Sequence, residues 1–291
     1  MVASGKRTAQ IILPSSPIRP GAERERFDAG VTWLGQHLEV IAPVHDHNHN
    51  HGVAARDTAV LPWLAGEDRS RARQLAEAHA DCVWMGRGGA GAARTLAVFD
   101  RHEPIELWGF SDGTTLLAEW CRRGWSCWSA PPLTQIPRLD GASIDRLVRA
   151  LRGEVPAFDG LTTIVPGYAA GPLAGGNLAV LSSLVGTPHM PRLRDAIVVL
   201  EDVGEVAYRV DRMLHQLLFS GAFEGVAGIV LGAFIGISEA EVALVRRCLE
   251  VFFEALGLPC AMDLPFGHGE SNAALPMGVP FELHDGRLAR L

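Results

Sequence analysis

The 291-residue sequence predicts an α/β fold. Short apolar runs suited to buried strands alternate with stretches whose apolar residues recur at helical spacing, which implies a parallel sheet with helices on both faces. One of those runs, Ile105-Glu106-Leu107-Trp108, passes through Gly109-Phe110-Ser111-Asp112-Gly113 straight into a helix-like segment that begins at Thr114. The length allows two domains, each with its own core.

Taken in order, Gln10-Ile11-Ile12-Leu13 reads as a first buried strand, closed by Pro14-Ser15-Ser16-Pro17. Phe27, Val31, Leu34 and Leu38 share a helical face, and Glu39-Val40-Ile41-Ala42 reads as a second strand. Asp68 to Ala80 is helical by composition and Cys82-Val83-Trp84-Met85 strand-like, followed by the glycine-rich loop Gly86-Arg87-Gly88-Gly89-Ala90-Gly91. After Ser111 come a helix from Thr114 to Arg123 and a fifth strand over Ser126-Cys127-Trp128-Ser129. This pattern sets a first domain at 1–140 and a linker with a short helix at 141–165. A second domain then spans 166–291. In the second half of the chain, Leu161 to Tyr168 is strand-like and Gly171 to Leu178 reads as a turn opening a helix. Ala196 to Leu200 reads as a buried strand ending directly in Glu201-Asp202. Val210, Leu214, Leu217 and Leu218 mark a helix, Val226 to Phe234 a strand, Glu239 to Leu256 a long amphipathic helix, and Cys260 to Leu264 a last core strand. The tail alternates around Asp285-Gly286 and reads as a closing hairpin.

Bulk properties exclude several classes. A hydrophobic fraction of 48% with 20% charged residues is ordinary globular composition. The formal net charge of −7, with no Lys/Arg cluster, argues against a nucleic-acid partner. No stretch approaches about 18 uncharged apolar residues, so no membrane span is expected. Ile11-Ile12-Leu13 is too short for a signal-peptide core. Five widely spaced cysteines suit reduced core thiols in a cytoplasm better than disulfides or a zinc site. The run His45-Asp46-His47-Asn48-His49-Asn50-His51 invites a metal reading, but alternating polar residues without apolar support read more simply as an exposed loop.

The chemistry centres on Ser111. A serine at a sharp strand-to-helix bend between glycines is a nucleophile elbow, and the first N–H groups of the following helix can stabilise an oxyanion formed beside it. The alternative is a Gly-Ser turn that only links two elements. Its hydroxyl needs a base, usually a histidine oriented by a carboxylate. His268, on the Gly/Pro-rich turn after a buried strand, has the best setting of the eleven histidines. Glu201 has the matching setting for the acid. Asp202 competes, but a period-two strand points it the opposite way. The 86–91 loop lacks the Gly-x-Gly-x-x-Gly spacing and a following Lys-Ser/Thr pair, which leaves a backbone oxyanion donor or a plain turn. Arg87 reads either as a clamp for a substrate carboxylate or as a solvated loop charge. An α/β-hydrolase shares the Ser, acid, His order, but the gap of about 67 residues between Glu201 and His268 is long for it, and no His-Gly-Gly loop precedes the elbow.

These positions resemble the LD-carboxypeptidase family of serine peptidases, which includes microcin immunity peptidases. Ile12-Leu13-Pro14-Ser15-Ser16-Pro17 resembles the family's opening strand and turn, and Ala65-Gly66-Glu67-Asp68-Arg69-Ser70-Arg71-Ala72 its Ala-Gly-x-Asp-x-x-Arg-Ala segment. Arg87-Gly88-Gly89-Ala90-Gly91 resembles the Arg-Gly-Gly-Tyr-Gly loop, and Gly109-Phe110-Ser111-Asp112 the nucleophile motif. Gly175-Gly176-Asn177-Leu178, Leu200-Glu201-Asp202-Val203-Gly204-Glu205, Tyr208 to Leu214 and Pro265-Phe266-Gly267-His268 follow in the family's order. The resemblance implies an N-terminal parallel α/β domain of the class I glutamine amidotransferase-like kind and a smaller swivelling β/α domain. It implies Ser111 as nucleophile, His268 as general base and Glu201 as orienting acid, assembled across the domain boundary. The oxyanion hole would be the backbone N–H of Asp112 with a glycine of Gly88-Gly89. A cytoplasmic homodimer without metal or other cofactor is implied, acting on a small peptide such as the murein tetrapeptide of peptidoglycan recycling. A microcin-type peptide–nucleotide conjugate is the alternative substrate. The sequence departs from the family at Ala90, where a tyrosine is usual, and at Ser129-Ala130-Pro131, where His-Gly-Pro is usual. Arg87 and Trp128 are the candidate substrate contacts near these departures.

Overall fold

A computed structural model describes residues 6–41 and 61–291. The histidine-rich stretch 45–51 lies outside the described residues. The chain forms two compact units, one running to Trp120 and resuming at Trp125–Arg138, the other comprising Cys121–Gly124 and Leu139–Leu291.

The first unit holds β1 (Thr8–Ile12), α1 (Ala22–His37), β2 (Glu39–Ile41), α2 (Asp68–Ala76), β3 (Cys82–Met85), α3 (Ala92–Leu96), β4 (Glu106–Gly109), most of α4 (Thr114–Arg123) and β5 (Cys127–Ser129). Its strands lie in the order β5-β4-β3-β1-β2, and every pairing is parallel. Burial on both sides explains why β3 and β4 read as nearly continuous apolar runs rather than alternating ones. In a parallel sheet all strands end on one edge, so the turn after β1, the loop after β3 and the elbow after β4 share that edge. Trp84, Trp108 and Trp128 stack across β3, β4 and β5, with ring centroids 4.6 and 4.9 Å apart.

The second unit contains α5 (Gly141–Ala150), β6 (Thr162–Val165), β7 (Ala169–Asn177), α6 (Leu178–Ser183), β8 (Ile197–Val203), α7 (Ala207–Phe219), β9 (Gly228–Ile235), α8 (Glu239–Leu256), β10 (Cys260–Met262), β11 (Leu275–Met277), β12 (Pro280–His284) and β13 (Arg287–Arg290). Seven of its strands form a mixed sheet, β13-β12-β7-β8-β9-β10-β6. The middle pairs β7-β8, β8-β9 and β9-β10 are parallel, and antiparallel strands close both sides. Leu214 and Leu217 of α7, with Val245, Leu249 and Phe253 of α8, pack on Val198, Leu200, Ile229 and Leu231 of the sheet. The expected terminal hairpin is β12-β13, and Asp285 and Gly286 both take the positive φ that its tight turn demands.

Two readings of the sequence change. Gly171 to Asn177 is not a turn but the interior strand β7, lying between β12 and β8. Its glycines serve close packing: a Cβ on Gly171 would sit 2.0 Å from the Asp195 carbonyl oxygen, and one on Gly175 2.4 Å from that of Val199. Strand β8 also continues through Glu201 and Asp202 to Val203 instead of stopping before them.

Candidate active site

Ser111 follows β4 and opens a 3-10 turn, Ser111–Gly113, that leads into α4. Its φ is 61°, a left-handed conformation that costs an L-residue energy and is held here by the surrounding packing. The flanking glycines make room for Met85: a Cβ on Gly109 or Gly113 would meet its sulfur at 2.7 or 2.5 Å. The next residue, Asp112, is buried, and its carboxylate accepts the Ala92 N–H at 2.8 Å, tying the elbow to the start of α3. Burial pushes this carboxyl above its ordinary range, opposed by the Ser15 hydroxyl, the Ala92 N–H and the Arg71 charge.

The glycine loop lies against the elbow. A Cβ on Gly88 would sit 2.9 Å from Ser111 Cβ and 3.0 Å from Oγ, so only glycine lets the backbone approach this closely. The Gly88 carbonyl accepts the Ser16 N–H at 3.3 Å. Because the peptide is trans, the N–H of Gly89 points away from Ser16. Arg71, fully buried, donates from Nη1 to the carbonyls of Pro14 (2.7 Å) and Gly91 (2.9 Å), and pairs with Asp68. Arg87 donates to the Pro17 carbonyl at 2.7 Å and pairs with Glu23 at 2.9 Å. Both contacts run through Nη1 and lie within the first unit. Trp128 is likewise packed, one face of its indole stacked on Trp108.

In the second unit, His268 Nδ1 and Glu201 Oε2 are 2.7 Å apart, and Glu201 is fully buried. A register shift in the β8-β9 ladder falls between Leu200 and Asp202. With the pleat broken there, Asn177 Nδ2 donates to both Glu201 Oε1 (3.2 Å) and Asp202 Oδ1 (3.1 Å), which strict alternation would not allow. Asn177 is itself oriented, since its Oδ1 caps α6 by accepting the Val180 N–H at 3.1 Å. Burial first, with the Glu201 charge adding to it, raises the Asp202 carboxyl to about 6 against the amides of Val203 and Ala179. The His268 turn is fixed from both sides. Gly232 and Ala233 of β9 meet Phe266 and Gly267, while Asn272 Oδ1 accepts the Gly267 N–H at 3.2 Å. Asn272 is held in turn by Ser143 of α5.

The structure therefore brings Ser111, Asp112 and Gly88-Gly89 together in one unit, and Glu201 with His268 in the other. Sequence reasoning gave no role to Asn177, Ser16 or Glu23. Only Asn177, polar at the junction of a strand and a helix, carried a visible capping signal.

Comparison with known proteins matches residues 10–130 to the LD-carboxypeptidase N-terminal domain and residues 170–283 to the LD-carboxypeptidase C-terminal domain. This chain belongs to the LD-carboxypeptidase family. The chain is 34% identical over 254 residues to the murein tetrapeptide carboxypeptidase of Pseudomonas aeruginosa, covering 78% of this chain and 81% of that protein. It is similar to the solved muramoyltetrapeptide carboxypeptidase of Oxalobacter formigenes, with a TM-score of 0.78, 25% identity and 97% of each chain covered. An MccF-like protein of Bacillus anthracis has the same fold, with a TM-score of 0.81 at 21% identity over 99% of this chain and 97% of that one. Among the described residues no group of three or more His, Cys, Asp or Glu could hold a metal ion, and no helix is long and apolar enough to cross a membrane.

Proposed function

We propose that this protein is a serine carboxypeptidase that hydrolyses the amide bond to a peptide's C-terminal residue, namely the bond to D-alanine in a murein tetrapeptide. Ser111 Oγ attacks the carbonyl carbon while His268 Nε2 takes its proton. The negative oxygen that develops is stabilised by the N–H groups of Asp112 and of the Gly88-Gly89 loop. His268 then protonates the departing amine, the C–N bond breaks, and an acyl-Ser111 ester remains. Water, deprotonated by His268, attacks that ester and releases the shortened peptide. Glu201 keeps the imidazole in the tautomer with its proton on Nδ1 and stabilises the imidazolium. The observation that carries this reading is the 2.7 Å contact between His268 Nδ1 and the fully buried Glu201 carboxylate, in a chain that also bears a strained serine elbow.

The test is product analysis by mass spectrometry after incubation with a murein tetrapeptide. We expect loss of one D-alanine, and a rate lower by on the order of 10⁴ or more in Ser111→Ala and His268→Ala. Hydrolysis by Ser111→Ala at the parental rate rules the mechanism out. A second reading, cleavage of a peptide–nucleotide conjugate, is favoured by Ala90 and Ser129-Ala130-Pro131 and by the fold shared with an MccF-like protein, MccF being the microcin C7 self-immunity protein. Comparing kcat/KM for a murein tetrapeptide and an aminoacyl-sulfamoyl nucleoside separates the two. We assign the protein to the cytoplasm as a homodimer with no nucleic-acid partner. The five free cysteines support a reducing compartment, and sedimentation at varied concentration tests the dimer.

A further inference from the structure

The loop that approaches Ser111 has little of its own to hold it. Gly88, Gly89 and Gly91 carry no side chains, and Gly89 and Gly91 sit at φ of 110° and 128°. Its position is set from outside, by the turn Pro14-Ser15-Ser16-Pro17. At the far end Arg71 joins the Gly91 carbonyl to that of Pro14. In the middle Ser16 donates its N–H to the Gly88 carbonyl and accepts the Ala90 N–H at 3.1 Å. At the near end Arg87 grips the Pro17 carbonyl and the Glu23 carboxylate. Glu23 is buried at the start of α1 and also accepts from the Arg19 backbone at 3.0 Å and from Arg19 Nε at 2.9 Å, so it fixes the exit of the same turn. Arg87 is the residue directly before Gly88. Anchoring its side chain at Pro17 and Glu23 restrains the peptide plane whose N–H is to meet the oxyanion.

We propose that the Arg87–Glu23 ion pair is a positioning device for the oxyanion loop, and that Arg87 does not clamp the substrate carboxylate. This rests on the reading of Ser111 as nucleophile. The two roles for Arg87 separate in the kinetics. A clamp acts on the ground state and shows in KM. A positioning residue acts where the oxygen becomes charged and shows in kcat. It also governs reactions of Ser111 with reagents that have no carboxylate at all.

The experiment measures kcat and KM on a murein tetrapeptide, and the rate of Ser111 labelling by a fluorophosphonate, for the parent, Arg87→Met, Arg87→Lys, Glu23→Gln and the Arg87→Met/Glu23→Gln pair. Arg87→Met and Glu23→Gln should each lose about 10- to 100-fold in kcat, the cost of a donor displaced by an ångström or less, with KM within about threefold. The pair should be no worse than Arg87→Met alone, since that change already removes the contact Glu23→Gln weakens together with the bond to the Pro17 carbonyl. Labelling should slow in parallel, and Arg87→Lys should recover part of the loss. Should Arg87→Met fail to fold, Arg87→Lys and Glu23→Gln, which preserve more of the site, carry the same comparison. A tenfold rise in KM at unchanged kcat in Arg87→Met, with Glu23→Gln like the parent, overturns the proposal in favour of the clamp. Labelling of every variant at the parental rate also overturns it. A parent that fluorophosphonate does not label sinks the nucleophile assignment, and this inference with it.

Discussion

Glu201→Gln is nearly isosteric, yet the surroundings dictate how it fails. Asn177 cannot rotate, because its Oδ1 is taken by the Val180 N–H and its Nδ2 therefore faces the two carboxylates. A glutamine at position 201 must present its amide oxygen to that Nδ2. Its NH₂ then falls where Glu201 Oε2 now stands, 2.7 Å from His268 Nδ1. A donor at that place forces Nδ1 to accept, and the imidazole proton moves to Nε2, the nitrogen that takes the serine's proton in the proposed mechanism. The side chain is fully buried, so water offers no alternative partner. The wrong tautomer in a serine triad costs about 10⁴ in kcat, equivalent to about 5 kcal/mol of transition-state stabilisation. The substitution leaves no volume void and pairs both amide groups, so the folded state should survive. The assay is steady-state hydrolysis of a murein tetrapeptide alongside ¹⁵N spectra of the His268 ring, which read the tautomer directly. Loss of activity with the proton still on Nδ1, or a kcat within tenfold of the parent, would refute this reasoning.

Other outcomes follow from the same geometry. Gly88→Ala places a methyl group 3.0 Å from Ser111 Oγ and pushes loop and nucleophile apart; kcat should fall by about 10²–10³ with little change in KM, read in single-turnover experiments. Asp202 bears on stability. Its folded-state value of about 6 lies above the ordinary 3.8, so the folded protein holds this proton more tightly than the unfolded chain. Stability should therefore fall as pH rises from about 4 to about 6 and level off beyond, by up to about 3 kcal/mol. Urea midpoints across that range should show the decline in the parent and a flatter profile in Asp202→Asn. Equal slopes would contradict the buried, protonated carboxyl.

Much of this architecture is legible from local pattern. Cys82 to Met85 and Ile105 to Gly109 are apolar runs bounded by turn residues, and a both-sides-buried parallel strand has to look like that. The elbow is legible because few arrangements put a lone serine between glycines at a strand-to-helix junction. Glu201 and His268 stand out by local setting, at the end of an apolar strand and on a Gly/Pro-rich turn, but nothing local links residues 67 apart, and their roles as a pair came from the family resemblance. What escaped was set by tertiary packing. Gly171 and Gly175 look like turn punctuation, and only the neighbouring carbonyls reveal that they make room within a sheet. Asp202 was assigned the opposite face from Glu201 by strict alternation, and the irregular ladder after Leu200 lets one amide reach both. Arg87 lay next to a partner, Glu23, that no spacing rule connects to it.

The distribution of aromatic residues has a practical consequence. All seven tryptophans lie at or before position 128, within the first compact unit, while the two tyrosines, Tyr168 and Tyr208, lie in the second. The molecule therefore carries its own optical label. Indole emission excited at the red edge, where phenol does not absorb, follows only the half that bears Ser111, and the stacked Trp84-Trp108-Trp128 array is a sensitive chromophore for its disassembly. Denaturation followed by that emission and by amide circular dichroism in one cuvette would report whether the two halves come apart together or in sequence, without a dye or an engineered residue.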